Sequence, residues 1–280
     1  MLSKPPIEGI FTTYDSLNLF QRSWIPLKKP KALLVILHGL GEHSARYDHF
    51  AQFMALNDYL VNSFDYRGHG KSEGQRFFVN SFEEYCLDAE NFIISIKGQY
   101  PGLPIFIFSH SMGGLISTTL ASQDRLKVDG LIASSGVVKI SDEMSNLTIK
   151  LTRIIAAIAP NMGVLSGVSD QVCRDPEVVR SHREDPLIQG KLPAKTMSEI
   201  LKAVKSLGDH MGKISVPILI MAGTADTMAD SKGSKDLYQK CSSKDKTLKI
   251  WEGLYHELIN EPEKDQVIAE VLAWTNSHIK

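Results

Sequence analysis

The sequence predicts an α/β fold: a mostly parallel sheet, helices on both of its faces, and one helical insertion. Short apolar runs alternate with longer helical patterns along most of the 280 residues. Such alternation places the strands side by side in parallel, because each helix returns the chain to the same edge of the sheet. The alternation stops over 141–207, where helical patterns occur without a strand pattern. A serine also lies at the apex of a strand–turn–helix formed by 105–122, a geometry typical of a reactive residue.

The first part of the chain begins with a predicted hairpin, whose two strands are joined by a turn at Asp15 and Ser16. The apolar run 32–37 follows, and it has the length of a strand buried on both faces. Helices and strands then alternate, and Ser81 is a suitable N-cap for the helix that it precedes. The predicted elements are strands 9–14, 17–24, 32–37, 59–64, 105–108 and 128–133, and helices 46–56, 82–97 and 112–122.

The insertion contains two predicted helices, 147–159 and 196–207, separated by a passage rich in Gly, Ser and Asp. In parallel sheets the ligand lies beyond the carboxyl ends of the strands, so we expect the insertion to cover the active site as a cap. The predicted organisation is therefore core 1–140, cap 141–207 and core 208–280. The second core part is predicted to contain strands 217–222 and 247–251 and helices 232–239 and 264–278.

Composition excludes several classes of protein. The chain has 31 basic and 32 acidic residues, so its bulk charge gives no reason to expect nucleic acid as a partner. Cys86, Cys173 and Cys241 are far apart, which is the pattern of neither a metal site nor a disulfide framework. No apolar run is long enough for a transmembrane helix, and the N-terminus lacks the pattern of a signal peptide. We therefore expect a soluble, cytoplasmic protein that uses no metal and no organic cofactor.

Ser111 is the most informative residue in the chain. The strand 105–108 runs into a turn of small residues, and a helical pattern begins directly after Ser111. This arrangement exposes the serine Oγ above the sheet, with a helix N-terminus beneath it. The turn needs small residues two positions before and after the serine, and Ser109 and Gly113 occupy those places. The pattern departs from G-x-S-x-G only at its first position, and it predicts Ser111 as a nucleophile.

A serine nucleophile needs a base to remove its proton and a carboxylate to orient that base. In folds of this kind both follow the serine along the chain, each on a loop after a later strand. His256 follows the strand 247–251 and is the predicted base. Asp226 follows the strand 217–222 and is the predicted acid. Asp230 is the alternative acid, although it is better placed to cap the helix 232–239.

The tetrahedral intermediate of acyl transfer carries an oxyanion that needs hydrogen-bond donors already in place. Two backbone N–H groups are predicted to supply them. Met112 begins the helix after the serine, and Leu40 lies in the glycine-containing loop after the strand 32–37. Three other histidines near strand ends, His38, His69 and His110, are interpreted as structural residues that brace these loops.

Five segments of the chain give it a family resemblance: HGLGEHSARY (38–47), DYRGHGKSEG (65–74), HSMGG (110–114), GTAD (223–226) and DKTLKIWEGLYH (245–256). Together they resemble the monoacylglycerol lipases of the α/β-hydrolase superfamily, from about residue 8 to the end of the chain. The serine turn alone indicates the superfamily, whereas the first and last segments are much more specific.

The resemblance implies an α/β-hydrolase fold and hydrolysis of a monoacylglycerol or a similar single-chain lipid ester. It also implies a polar pocket for the glycerol, to which Glu42 and Arg46 correspond. The alternative interpretation of these two residues is that they are surface charges at the start of a helix. Lysophospholipase and broad carboxylesterase activities are the alternative enzymatic functions, and a catalytically silent lipid-binding protein is the non-enzymatic one.

The first helix of the predicted cap, 147–159, is apolar around much of its circumference. Core packing accounts for such a surface, and so does transient contact with a lipid surface, where Lys150 and Arg153 would favour anionic head groups. The second interpretation predicts a cytoplasmic protein with peripheral membrane contact. The sequence does not indicate an oligomeric state.

Overall fold

A computed structural model describes residues 5–139, 145–166 and 169–279. Ten strands lie in these ranges, and eight of them form one sheet in the order β1-β2-β4-β3-β5-β6-β9-β10. The strands from β4 to β10 in this order are parallel, whereas β1 and β2 form an antiparallel edge. The strands are β1 Ile7–Thr12, β2 Asn18–Trp24, β3 Ala32–Leu37, β4 Tyr59–Phe64, β5 Ile105–His110, β6 Gly130–Ser134, β7 Gly163–Ser166, β8 Lys191–Pro193, β9 Ile218–Gly223 and β10 Lys246–Trp251.

Eight α-helices accompany the strands in the described ranges. They are α1 Asp48–Leu56, α2 Phe82–Gln99, α3 Met112–Ser122, α4 Asn146–Ile158, α5 Pro176–Glu184, α6 Ala194–His210, α7 Ser231–Lys240 and α8 Lys264–Ser277. Short 3₁₀ turns occur at Ser44–Tyr47, Met211–Lys213 and Leu258–Asn260.

Both faces of the sheet are covered, as the sequence predicts. Strand β3 shows this directly, because its successive side chains enter two different apolar clusters. Leu33 and Val35 pack with α2 and α3 on one face, whereas Leu34 and Ile36 pack with α1 and α8 on the other. All six residues of β3 are buried, which explains why the run is continuously apolar rather than alternating.

Two helix starts follow the capping chemistry that the sequence predicts. The Ser81 side chain accepts a hydrogen bond from the backbone N–H of Glu83 at the start of α2. The Asp230 side chain accepts one from Lys232 at the start of α7. The predicted helix 46–56 is wrong at its first residues, because a 3₁₀ turn precedes α1, which begins at Asp48.

The prediction of no strand within 141–207 is wrong. Strands β7 and β8 pair in an antiparallel two-stranded sheet, and helix α5 between them was also not predicted. The two strands have only four and three residues, too few for a recognisable alternation of polar and apolar positions. A signal for α5 is present in the sequence, because Asp175 caps the helix and Pro176 occupies its first turn. The predicted cap boundary, between 140 and 141, lies outside the described residues.

The helices of the structure can be compared with the length and apolar character that a membrane-spanning helix requires. Among the helices of the described residues, none combines the length and the apolar character needed to cross a membrane.

Candidate active site

Ser111 occupies a strained turn between β5 and α3. Its backbone has φ 51° and ψ −115°, a conformation that residues other than glycine rarely adopt. A hydrogen bond fixes the turn to the adjacent strand β6, because the Ser111 N–H donates to the Ser134 carbonyl oxygen at 3.1 Å. A Cβ atom on Gly113 would lie 2.2 Å from the carbonyl oxygen of Leu37, so the position two residues after the serine requires glycine.

The serine that replaces the first glycine of the pattern has its hydroxyl satisfied inside the protein. The Ser109 Oγ donates to the Ile132 carbonyl oxygen at 2.9 Å and accepts from the Ser117 Oγ at 2.8 Å. Because the fully buried hydroxyl finds both partners, it avoids the cost of an unpaired polar group. This departure from the usual pattern therefore leaves the turn intact.

Asp226 and His256 meet beyond the carboxyl ends of the neighbouring strands β9 and β10. The His256 Nδ1–H donates to Asp226 Oδ2 at 2.8 Å. The other oxygen, Asp226 Oδ1, accepts from the backbone N–H groups of Met228 at 2.8 Å and Ala229 at 2.9 Å. The carboxylate is thus fixed in position by three donors, and both side chains are buried.

The pair also determines the charge of its members. Burial alone would raise the pKa of Asp226, but His256 and the two backbone donors hold it below its ordinary value. Burial would lower the pKa of His256, yet the Asp226 carboxylate raises it above its ordinary value of about 6.5. Asp226 therefore stays ionised at neutral pH, and its charge stabilises a proton on His256.

Ser111 and His256 open onto one cavity, called here the active-site cavity. The predicted oxyanion residue Leu40 also lines it. Met112 is the first residue of α3, so its N–H lacks a partner within the helix, and the described residues offer the Leu40 N–H no backbone acceptor. The cavity is lined by Gly39, Leu40, Glu42, His110, Ser111, Ser169, Val172, His182, Met228, His256 and Glu257.

Glu42 and Arg46 are not surface charges. Glu42 is buried, lines the active-site cavity and accepts hydrogen bonds from the Gly39 N–H and from the Tyr47 hydroxyl, the latter at 2.7 Å. Arg46 forms ion pairs with Glu42 at 3.3 Å and with Glu257 at 2.5 Å. Glu42 thus lines the same cavity as Ser111, and Arg46 lies between the carboxylates of Glu42 and Glu257.

Two ionisable residues of the cavity, Glu257 and His182, were not predicted from the sequence. Glu257 directly follows the predicted base, and its partner Arg46 lies 211 positions away along the chain, so the ion pair has no local signal. His182 lies on α5, the helix that the sequence analysis missed, and is 4% exposed. Neither of its ring nitrogens has a hydrogen-bond partner among the described residues.

The other histidines near the strand ends have structural contacts. His38 Nε2 accepts from the Tyr66 N–H at 3.0 Å, so its Nδ1–H donates to the Gly39 carbonyl oxygen at 2.7 Å. His69 Nδ1–H donates to the Arg67 carbonyl oxygen at 3.0 Å. His110 packs against His256 with ring centroids 4.6 Å apart, and burial lowers its pKa to about 3. His110 is therefore neutral beside the predicted base.

The structure also bears on metal binding. Over 5–139, 145–166 and 169–279, no group of three or more His, Cys, Asp or Glu side chains is placed to hold a metal ion.

Comparisons with known sequences and structures identify the family to which the chain belongs. The sequence model of the serine aminopeptidase S33 family matches residues 28–263. The chain is 31% identical to the monoacylglycerol lipase of Mycolicibacterium smegmatis, with 100% of both chains covered. It is 36% identical to the monoglyceride lipase of Mus musculus, covering 95% of this chain and 89% of the relative. The crystal structure of Paleococcus ferrophilus monoacylglycerol lipase is 30% identical, with a TM-score of 0.82 over 93% of this chain and 99% of that one. The chain therefore belongs to the serine aminopeptidase S33 family and has the α/β-hydrolase fold.

Proposed function

We propose that the protein is a serine esterase that hydrolyses monoacylglycerols to a free fatty acid and glycerol. Ser111 is the nucleophile, His256 the general base and acid, and Asp226 the residue that orients His256. The N–H groups of Leu40 and Met112 bind the oxyanion. The observation that carries the proposal is the active-site cavity, where Ser111, Leu40 and the Asp226-bound His256 converge.

The reaction has two halves. His256 Nε2 removes the proton from Ser111 Oγ while the oxygen attacks the ester carbonyl, and the negative oxygen that forms is held by the two N–H groups. The same proton passes to the glycerol oxygen as the ester bond breaks, which leaves the acyl group on Ser111. Water then repeats the sequence with His256 as base and releases the fatty acid.

Support for the lipid substrate comes from the relatives. The relatives at 31% and 36% identity, which cover 100% and 95% of this chain, are named monoacylglycerol lipase and monoglyceride lipase. Hydrolysis of a panel of esters that varies acyl length and head group tests the proposal, with a fluorophosphonate probe to report Ser111 reactivity. We expect monoacylglycerols to give the highest kcat/KM. If kcat/KM is higher for lysophosphatidylcholine than for monoacylglycerols, the protein is a lysophospholipase instead. If it is higher for short alkyl esters, the protein is a general carboxylesterase.

The pH profile should follow the His256–Asp226 pair. Only neutral His256 can accept the Ser111 proton, so activity is present above the pKa of His256 and is lost as the pH falls below it. Since Asp226 raises this pKa, we expect the midpoint to lie above the value of about 6.5 for free imidazole. The measurement is kcat/KM for a water-soluble short-chain ester between pH 5 and 9. A rate that stays constant from pH 5 to 8 in folded protein contradicts the role of His256.

We further propose that 141–207 forms a cap whose helix α4 makes transient contact with a membrane surface. Exposed apolar residues lie four, three and four positions apart along α4, which places them on one stripe. Their side chains are 66%, 48%, 56% and 79% exposed, and they are Leu147, Leu151, Ile154 and Ile158. Arg153 lines a surface groove with Lys202, Lys205, Ser206 and Asp209, and the excess of three cations over one carboxylate complements anionic lipid head groups. The predicted cytoplasmic location stays a prediction.

Replacing both Leu147 and Leu151 with serine should weaken binding to anionic vesicles about tenfold or more. Each exposed leucine contributes on the order of 1–2 kcal/mol when it inserts into lipid. Turnover of a long-chain monoacylglycerol in vesicles should slow, whereas hydrolysis of a short soluble ester should change little, since α4 carries none of the proposed catalytic groups. Liposome sedimentation and both activities provide the measurement.

The matched control replaces two equally exposed apolar residues on other helices, Leu56 of α1 and Ile94 of α2, with serine. We expect these changes to leave vesicle binding intact. If the Leu147/Leu151 variant loses activity on both substrates in parallel, α4 forms part of the pocket wall, and the membrane proposal is wrong.

A further inference from the structure

The active-site cavity is poor in positive charge. Among the described residues that line it, the ionisable ones are two glutamates and three histidines, and none is a lysine or an arginine. The glutamates, Glu42 and Glu257, are both buried and come from opposite parts of the chain, one from the loop after β3 and one from the loop after β10. A head group that enters the cavity therefore meets carboxylates rather than cations.

The guanidinium that pairs with both cavity glutamates is already neutralised. Arg46 lies between Glu42 and Glu257, with nitrogen–oxygen distances of 3.3 Å and 2.5 Å. Burial alone would raise the pKa of Glu257, but Arg46 holds it down at about 2, so Glu257 is ionised at neutral pH. Burial and the neighbouring Glu257 raise the pKa of Glu42. If Glu42 is ionised, the three side chains together carry a charge of −1, and if Glu42 is protonated, their total charge is zero. The group is therefore not positively charged in either state.

Two of the three histidines, His110 and His182, add hydrogen-bonding capacity without charge. Burial lowers the pKa of His110 to about 3 and also lowers the pKa of His182, so both rings are neutral at neutral pH. The His182 ring is buried, lines the cavity and has no partner on either nitrogen among the described residues. A neutral imidazole offers one donor and one acceptor, which suits an uncharged hydroxyl group.

We propose that Glu257 is a specificity-determining residue of the cavity lining that neutralises the adjoining Arg46 and thereby excludes substrates with an anionic head group. The inference rests on the proposed esterase function and narrows it to neutral, hydroxyl-bearing leaving groups. Without Glu257, the cavity lining would lose one carboxylate and the guanidinium of Arg46 would be paired with one carboxylate instead of two, so an anionic head group would be repelled less. Since Asn260 also donates to Glu257 Oε2 at 2.7 Å, the carboxylate is held in place from two sides.

The experiment compares 1-octanoylglycerol with 1-octanoylglycerol 3-phosphate, two water-soluble esters with the same acyl chain. We expect the wild-type kcat/KM to be about 100-fold higher for the neutral ester, the effect of two like charges roughly 6 Å apart at an effective dielectric constant of about 20. Glu257→Gln keeps the side-chain shape and removes the charge, and it should lower this ratio about tenfold or more. Glu257→Asp keeps the charge and should retain most of the ratio.

The matched control is Glu90→Gln. It removes the carboxylate of another Arg–Glu ion pair, in which Glu90 on α2 pairs with Arg125. The ratio should be unchanged in this variant. Similar wild-type kcat/KM values for the two esters overturn the inference while leaving the esterase function in place, and they do so even if Glu257→Gln does not fold. An unchanged ratio in folded Glu257→Gln also overturns it. If the wild-type protein hydrolyses neither of the two esters, the proposed esterase function itself is wrong.

Discussion

Ser111→Ala should abolish ester hydrolysis and leave the fold intact. The substitution removes the only atom proposed to form a bond to the acyl group, and loss of a triad nucleophile typically costs about 10⁴- to 10⁶-fold in kcat. The backbone strain at φ 51° is the same for alanine and serine, because both carry a Cβ atom. The measurement is kcat with a soluble ester, together with circular dichroism and labelling by a fluorophosphonate probe.

The matched control for this change is Ser134→Ala at the end of the adjacent strand β6. The Ser134 Oγ is buried without a hydrogen-bond partner in the described structure, and the hydrogen bond from the Ser111 N–H is accepted by the backbone carbonyl oxygen of Ser134. Ser134→Ala should therefore retain activity and probe labelling. If Ser111→Ala retains more than about a tenth of the wild-type kcat, Ser111 is not the nucleophile.

Asp226→Asn should lower kcat about 10⁴-fold without unfolding the protein. The asparagine oxygen can still accept from Met228 and Ala229, so the loop keeps its two backbone hydrogen bonds. Its amide group, however, donates toward His256 Nδ1 and forces the histidine into the tautomer that cannot accept the Ser111 proton. Steady-state kinetics at pH 8 provides the measurement.

Asp230→Asn is the control, and it separates the two aspartates that the sequence left as alternatives. Asp230 caps α7 through a hydrogen bond from Lys232 at 2.8 Å, and asparagine is an equally good N-cap. We expect wild-type activity and stability from this variant. A large loss of kcat in Asp230→Asn with little loss in Asp226→Asn would reverse the assignment.

The sequence predicted the parts of the fold that have strong local signals. Strand β3 and helix α3 begin and end at the predicted residues, since one is a continuous apolar run and the other starts at a glycine-rich turn. The roles of Ser111, Asp226 and His256 stay predictions, but their positions could be derived because each follows a buried strand. Strand ends meet at one edge of a parallel sheet, so the order of elements along the chain already brings these residues together.

The cavity wall could not be predicted in the same way. Glu42, Arg46 and Glu257 form a group only because the loops after β3 and β10 approach each other, and no periodicity encodes that pairing. His182 depends on α5, a short polar helix whose sequence lacks an apolar face long enough to recognise. The features that distinguish one head group from another therefore come from tertiary contacts.

Glu42 has a consequence for anyone who wishes to redesign this enzyme. Glu42 lines the cavity, and its carboxylate also accepts from the Gly39 N–H, next to the proposed oxyanion donor Leu40. Substitutions at Glu42 would alter leaving-group preference and transition-state stabilisation together, and selection for one would penalise the other. His182 and Glu257 belong to other segments of the chain, so engineering a new alcohol specificity is better begun at these two positions.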